Sequence, residues 1–221
     1  VVVDDFEMTI SHVIRGEEHI PNTPRQLLIQ KALGISPPIF AHVPLILGPD
    51  RSKLSKRHGA TAIREFREAG YLPEAVVNFL ALLGWNPGDE RELFTMAELI
   101  REFDIGKIQK SGAIFSLEKL DWLNGSYIRQ KPVAELTRLL LPYLEPAFPK
   151  VEQFDRGKLA AIAALEQPRL TKLSEITDRV DYFFGEPTYE PELLRWKQMS
   201  NEEVRASLTR AKRILATLPD A

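Results

Sequence analysis

The stretch Ile39-Phe40-Ala41-His42-Val43-Pro44-Leu45-Ile46-Leu47 runs through Gly48-Pro49-Asp50 into Lys53-Leu54-Ser55-Lys56-Arg57-His58-Gly59. Its apolar part reads as a strand, and Pro44 within it marks an edge or a bulge. The loop that follows carries three fixed positive charges, Lys53, Lys56 and Arg57, and Gly59 loosens its end. A basic loop between a strand and a helix suits an anion. Two ammonium groups three residues apart reach different oxygens of a polyphosphate. Taken alone, such a loop is more often plain solvated surface. The flanking chain decides between the two readings.

Toward the N-terminus, Val1-Val2-Val3 before Asp4-Asp5 reads as a short strand that leaves the core at two acids. The chain opens on this run without a Met, so the reading expects further sequence before residue 1. Thr9–Ile14 alternates polar and apolar residues, a second strand, and delivers Arg15-Gly16-Glu17-Glu18-His19. Open α/β sheets place ligand contacts at such charged strand ends. Asn22-Thr23-Pro24 starts a helix, with Thr23 as cap, Pro24 in its first position, and Gly34 as its stop. Residues 1–60 therefore read as the last βαβ part of a nucleotide-binding sheet.

Beyond Gly59 the pattern is helix after helix. Ala62–Ala69, Pro73–Gly84, Thr95–Phe103 and Leu117–Tyr127 come first. Pro73–Gly84 is apolar on all sides, which predicts burial. Later faces are marked by Val133, Leu136, Leu140 and Tyr143, and by Leu159, Ile162 and Ala163. Two more follow, through Leu173, Ile176, Val180 and Phe184, and through Val204, Leu208, Ala211, Leu215 and Leu218. Arg129-Gln130-Lys131-Pro132 is the expected domain break. The fold class is mainly α with a small α/β N-terminal part.

The 221 residues are 44% hydrophobic and 27% charged, with a net charge of -2, an ordinary globular balance that announces no basic field. The charge is uneven, however: residues 49–68 hold six Lys or Arg against three acids, and 195–213 hold six against two. Local phosphate contacts are thus compatible with a near-neutral chain. No cysteine is present, which excludes disulfides and thiolate metal sites, and the four histidines lack metal-ligand spacing. No run is long enough to span a bilayer and no secretory signal is visible, so a cytoplasmic protein is expected.

Together these residues resemble a bacterial glutamyl-tRNA synthetase, a class I aminoacyl-tRNA synthetase. The resemblance rests on Val2–Asp5, His12–His19, Asn22–Leu28, Phe40–Leu47, Lys53–Gly59, Gly70–Ala75, Asn78–Trp85 and Lys119–Ile128, in order and in spacing. It is nearly continuous to about residue 129 and weaker beyond. It implies three parts: 1–60, the C-terminal part of a Rossmann-type catalytic domain; 61–129, a helical stem-contact domain; and 130–221, the first part of an all-helical anticodon-binding domain. It also implies ATP-dependent attachment of L-glutamate to tRNA through glutamyl-adenylate, with transfer to the terminal adenosine. ATP and Mg2+ enter as a substrate complex, with no protein-bound metal in this chain, no membrane partner, and a monomer.

In that family the basic loop is the second class I signature, KMSKS. Lys53 and Lys56 are thereby implied to be catalytic, stabilising charge on the departing pyrophosphate. Ser55 and Arg57 belong to the same ATP-binding loop, and Leu45 and Ile46 sit where the backbone meets adenine. Arg15 is implied to bind the glutamate carboxylate through its planar fork, its rival reading being an ion pair with Glu17 or Glu18. Glu18 is implied to lie near the ribose or the terminal adenosine. His12, His19 and His42 read as structural, and Asp4 and Asp5 as strand-end groups. Arg64, Arg67, Arg169, Lys172, Arg210, Lys212 and Arg213 are candidates for tRNA phosphates.

Gln167-Pro168-Arg169 stands where members that charge only glutamate tRNA resemble Arg-Pro-Arg, the first Arg reading the third anticodon base. Gln167 both donates and accepts, so glutamine tRNA is expected as a second substrate. The first class I signature, HIGH, is not in these residues, so this stretch alone is expected to be inactive. Three alternatives stand beside this reading. A glutamyl-queuosine synthetase lacks the helices after 130, and a glutaminyl-tRNA synthetase continues into β-barrels that are not seen. The third is a tRNA-binding module without catalysis.

Overall fold

The computed structural model describes residues 1–55, 57, 62–149, 151–185 and 189–217. They form two compact units, Val1–Val180 and Asp181–Ala221. The first unit opens with α1 (Val2–Glu7), β1 (His12–Gly16), a 3-10 segment Glu17–Asn22, α2 (Thr23–Ala32), β2 (Ile39–Val43) and β3 (Ile46–Leu47). The expected first strand is therefore a helix. Asp4 and Asp5 fall in its first turn, where carboxylates complement the helix dipole, and this outweighs three valines. Thr9, at φ 54, ends the excursion.

β1 and β2 are parallel, with Arg15 opposite His42. α2 is the crossover between them. Its cap position is Asn22, whose side chain makes no capping bond, and Thr23 already lies inside the helix, which starts one residue earlier than expected. Pro44 splits the long apolar run in two. Its first half pairs with β1, whereas Ile46 and Leu47 turn away to pair in parallel with β4 (Ala113–Ile114). A proline can donate no ladder bond, so the sheet breaks there. Gly112 lets β4 approach: a Cβ at this position would stand 2.9 Å from Leu47 Cδ1 and 3.1 Å from the Leu45 carbonyl.

The helical remainder of the first unit packs on α4 (Pro73–Gly84) and α6 (Leu117–Gln130). α3 (Ile63–Glu68) and α5 (Met96–Glu102) flank them. α4 is buried on one side only, through Ala75, Asn78, Phe79 and Leu83. Val77 and Leu80 are exposed, so an all-apolar surface did not mean an all-buried helix. Phe66, Tyr71, Phe79, Leu83, Phe115, Leu120 and Leu123 form one core cluster, with Ile46 and Leu54 packed against it. A smaller cluster joins Trp85, Phe94 and Leu99.

Two buried asparagines close the spaces between helices. Asn78 accepts from Phe94 N (2.8 Å) and donates to the Glu92 carbonyl (3.0 Å). Asn124 accepts from Leu72 N (2.8 Å) and donates to the Thr171 carbonyl. α7 (Val133–Ala147) and α8 (Arg156–Glu166) follow and pack on each other, and Leu136, Leu140 and Leu144 turn inward. The chain returns across α6 at Gly70, where Leu173 N donates to the Gly70 carbonyl (3.0 Å) and Ser174 Oγ to that of Ala69 (2.7 Å). α9 (Thr177–Phe184) comes next.

The second unit contains α10 (Asn201–Leu215), capped by Ser200 in a reciprocal box with Glu203. Its apolar stripe through Val204, Leu208 and Leu215 has the expected helical spacing, but no residue of α10 is buried. Leu218 lies outside the described residues. No helix among them is long and apolar enough to cross a membrane.

Candidate functional site

The carboxyl ends of β1 and β3 bring together most of the residues that the sequence singled out. Arg15 stands at the end of β1, followed at once by Glu17 and Glu18. β3 leads through a turn, with Arg51 at φ 60, into the basic loop. Leu54 N donates to the Ile46 carbonyl (2.9 Å), and the Leu54 side chain packs on the core cluster of Phe66, Phe79 and Phe115. The loop is thus pinned beside Lys53, which projects outward to Glu18 with its Nζ 3.2 Å from Oε1. Two residues 35 positions apart, chosen for different roles, meet as an ion pair.

The carboxyl of Glu18 is held below its ordinary range, first by its own backbone amide and then by the Lys53 ammonium. Both side chains are substantially exposed, so the pair contributes little to stability. Its value is positional, since it sets a lysine and a carboxylate face to face at the strand ends.

Arg15 makes no bond to Glu17 or Glu18. Its Nη2 donates to Thr23 Oγ1 (2.7 Å) and Gln26 Oε1 (2.8 Å), and its Nε to His42 Nε2 (3.4 Å). The guanidinium carbon lies 5.1 Å from the Phe40 ring centroid. Glu17 accepts from Leu45 N (3.1 Å), which ties the 3-10 segment to the backbone just before β3. Ile46 pairs with Ala113 and is half-buried.

Arg57 Nη2 donates to Ser52 Oγ (2.7 Å) and Asp50 Oδ2 (3.1 Å), while Asp50 Oδ1 accepts from Ser52 N (3.0 Å). This arginine braces the entry to the loop. Ser55 is exposed in the same segment. Lys56, His58 and Gly59 lie outside the described residues. Among the described residues no three His, Asp or Glu side chains form a metal-holding group.

Gln167 and Arg169 occupy a 3-10 turn at the end of α8. The amide of Gln167 caps α6: Nε2 donates to the carbonyls of Ile128 (2.9 Å) and Lys131 (2.8 Å). Arg169 is exposed, with Nη1 3.2 Å from the carboxylate of the buried Glu166. Sequence reasoning missed Thr23, Gln26 and His42 as partners of Arg15. The signal for His42 is the register of a parallel pair, and that for Thr23 and Gln26 the packing of the crossover helix, neither of which a local pattern encodes.

Comparison with known proteins gives the same direction. The family profile for tRNA synthetases class I (E and Q), catalytic domain, matches residues 1–122, and an anticodon binding domain profile matches 135–221. The glutamate–tRNA ligase of Desulforamulus reducens is 52% identical over 187 residues, 83% of this chain and 39% of its own length. That of Moorella thermoacetica is 44% identical over 227 residues, 99% of this chain and 45% of its own. A crystal structure of a glutamate tRNA ligase from Elizabethkingia meningosepticum, in complex with its amino acid, superposes with a TM-score of 0.83. It is 34% identical and covers 98% of this chain and 46% of that one. The chain spans less than half the length of these relatives. With its strand-end cluster and both profiles in sequence order, it belongs to the class I tRNA synthetases of the glutamate and glutamine group.

Proposed function

We propose that the protein carrying this chain is a cytoplasmic, monomeric glutamate–tRNA ligase. A carboxylate oxygen of L-glutamate attacks the α-phosphorus of Mg2+-bound ATP, and pyrophosphate leaves. A hydroxyl of the terminal tRNA adenosine then takes the glutamyl group, releasing AMP. The observation that carries this reading is the Glu18–Lys53 ion pair, formed just beyond the carboxyl end of β1, the strand that carries Arg15. Lys53, with Lys56, offsets charge growing on the leaving group. Ser55, Arg57 and the backbone of Leu45 and Ile46 complete the ATP side. Arg15 receives the substrate carboxylate, and Glu18 the ribose or the terminal adenosine. Residues 1–60 supply this half-site, 61–129 the stem contact and 130–221 the first part of the anticodon-binding body.

The test is an exchange ligase, in which these residues replace the matching stretch of the Moorella thermoacetica enzyme. Lys53→Ala is expected to lower glutamate- and tRNA-dependent pyrophosphate exchange by about 100-fold or more. An unchanged rate overturns the assignment. The 221-residue chain by itself is expected to show no exchange, and measurable exchange contradicts that.

The cap formed by Gln167 favours a second reading, that glutamine tRNA is charged as well. With Nε2 turned to α6, the outward atom is an acceptor. Cytosine offers it N4–H and guanine offers N1–H and N2–H, so an acceptor separates the two poorly. Charging assays with both purified tRNAs decide this, and no product on glutamine tRNA ends the idea.

A further inference from the structure

We propose that His42 is a positioning residue which, with Thr23 and Gln26, holds Arg15 so that a single guanidinium nitrogen, Nη1, faces an incoming carboxylate. The inference rests on the reading of Arg15 as the glutamate-binding residue. Arg15 and His42 are direct partners across the parallel β1–β2 pair, and Thr23 and Gln26 sit one turn apart on α2 above them. Nη2 is committed to Thr23 Oγ1 at 2.7 Å and Gln26 Oε1 at 2.8 Å, and Nε to His42 Nε2 at 3.4 Å. Phe40 covers one face of the guanidinium, and its ring lies nearly parallel to that of His42, at 7°. Two of the three nitrogens are thus taken by the scaffold, and among the described residues Nη1 alone has no hydrogen-bond partner.

The bonding pattern also fixes a proton. An arginine donates and never accepts. His42 Nε2 must therefore be the acceptor, so the ring carries its hydrogen on Nδ1. Thr23 Oγ1, 3.1 Å from the same Nε2, accepts from Arg15 and donates either to His42 or to the His19 carbonyl at 3.4 Å. A two-nitrogen fork would require breaking an Nη2 bond if end-on, and the Nε bond as well if side-on. The expected contact is instead one nitrogen to one carboxylate oxygen in a set direction, which selects substrates by where their carboxylate lies.

Nitrogen NMR of the labelled 221-residue chain tests this directly. The expected result is a His42 ring with an unprotonated Nε2, and an Arg15 Nε–H protected from exchange. His42→Leu removes the acceptor and should expose that Nε–H, while His42→Gln places a carbonyl oxygen near the former Nε2 and should restore protection. In the exchange ligase, His42→Leu is expected to raise KM for glutamate about tenfold, to leave KM for ATP unchanged, and to be rescued by His42→Gln. A proton on Nε2 in the unsubstituted chain overturns the proposal. So does an Arg15 Nε–H that His42→Leu does not touch. Should His42→Leu fail to fold, the wild-type ring and His42→Gln still decide. Arg15→Lys separates the two levels: no change in KM for glutamate, with the NMR pattern as expected, removes the glutamate reading and leaves the positioning intact.

Discussion

Single residues carry more of this fold than their types suggest. Gly70 has φ +89, and a Cβ there would stand 2.5 Å from Ser174 N and 2.8 Å from Leu173 N. Gly70→Ala combines left-handed strain with a backbone clash, and is expected to cost about 2–4 kcal/mol in urea unfolding. A wild-type midpoint would refute the close approach. Asn124 is fully buried and serves Leu72 N and the Thr171 carbonyl. Asn124→Leu strands both groups, and a loss of about 2–4 kcal/mol is expected by the same measurement. Neither role was legible beforehand, because each depends on a chain segment some 50 or 100 positions away. Lys53 is the opposite case. Its place in a strand–loop–helix order was readable locally, whereas its ion pair with Glu18 was not.

At the scale of elements, the sequence spoke clearly wherever local chemistry sets the ends. α4 runs Pro73–Gly84 as read, with proline in its first position and the chain turning extended at Trp85. α5 begins behind Thr95, which exchanges bonds with Glu98. α1 was missed because three β-branched residues argued for a strand while two acids argued for a helix start. The break at Pro44 was foreseen as an irregularity, but not as a change of sheet.

Ion pairs between elements add a pH signature. Hydrogen bonds from Arg91 and then Arg101 hold the Glu102 carboxyl down at about 2. A depressed carboxyl contributes stability that is complete above its unfolded pKa of about 4.3 and is lost as pH falls through the folded value. The stability gap between the wild type and Glu102→Gln should therefore be constant near neutrality and close on acidification toward about pH 2. A gap that persists there contradicts the pairing. Tyr71 behaves in the other sense. Burial first, and its bond to Asp121 second, push the phenol up. Its contribution is complete below the ordinary tyrosine range and is lost as pH rises past it. In an ultraviolet titration Tyr71→Phe should remove a late-ionising phenol, and an unchanged curve would count against that burial.

For the molecule as a whole, the first unit is sewn together across the turn at Lys131-Pro132. Lys131 pairs with both Glu74 (2.6 Å) and Glu135 (2.8 Å), and Tyr143 donates to the Arg67 carbonyl (3.0 Å). One cooperative transition is expected for residues 1–180, read by both tryptophan fluorescence and circular dichroism; two separated transitions would refute it. The seam at Gly70 bears also on how this lineage can be recombined. Because no methyl group fits between Gly70 and Leu173, the backbone on each side is the mould of the other. A recombinant joined near residue 131 inherits one half of a mould and a foreign casting. Crossovers between relatives should survive when the segments around 69–72 and 171–175 come from the same parent, and fail when they do not, whatever the overall identity of the two parents.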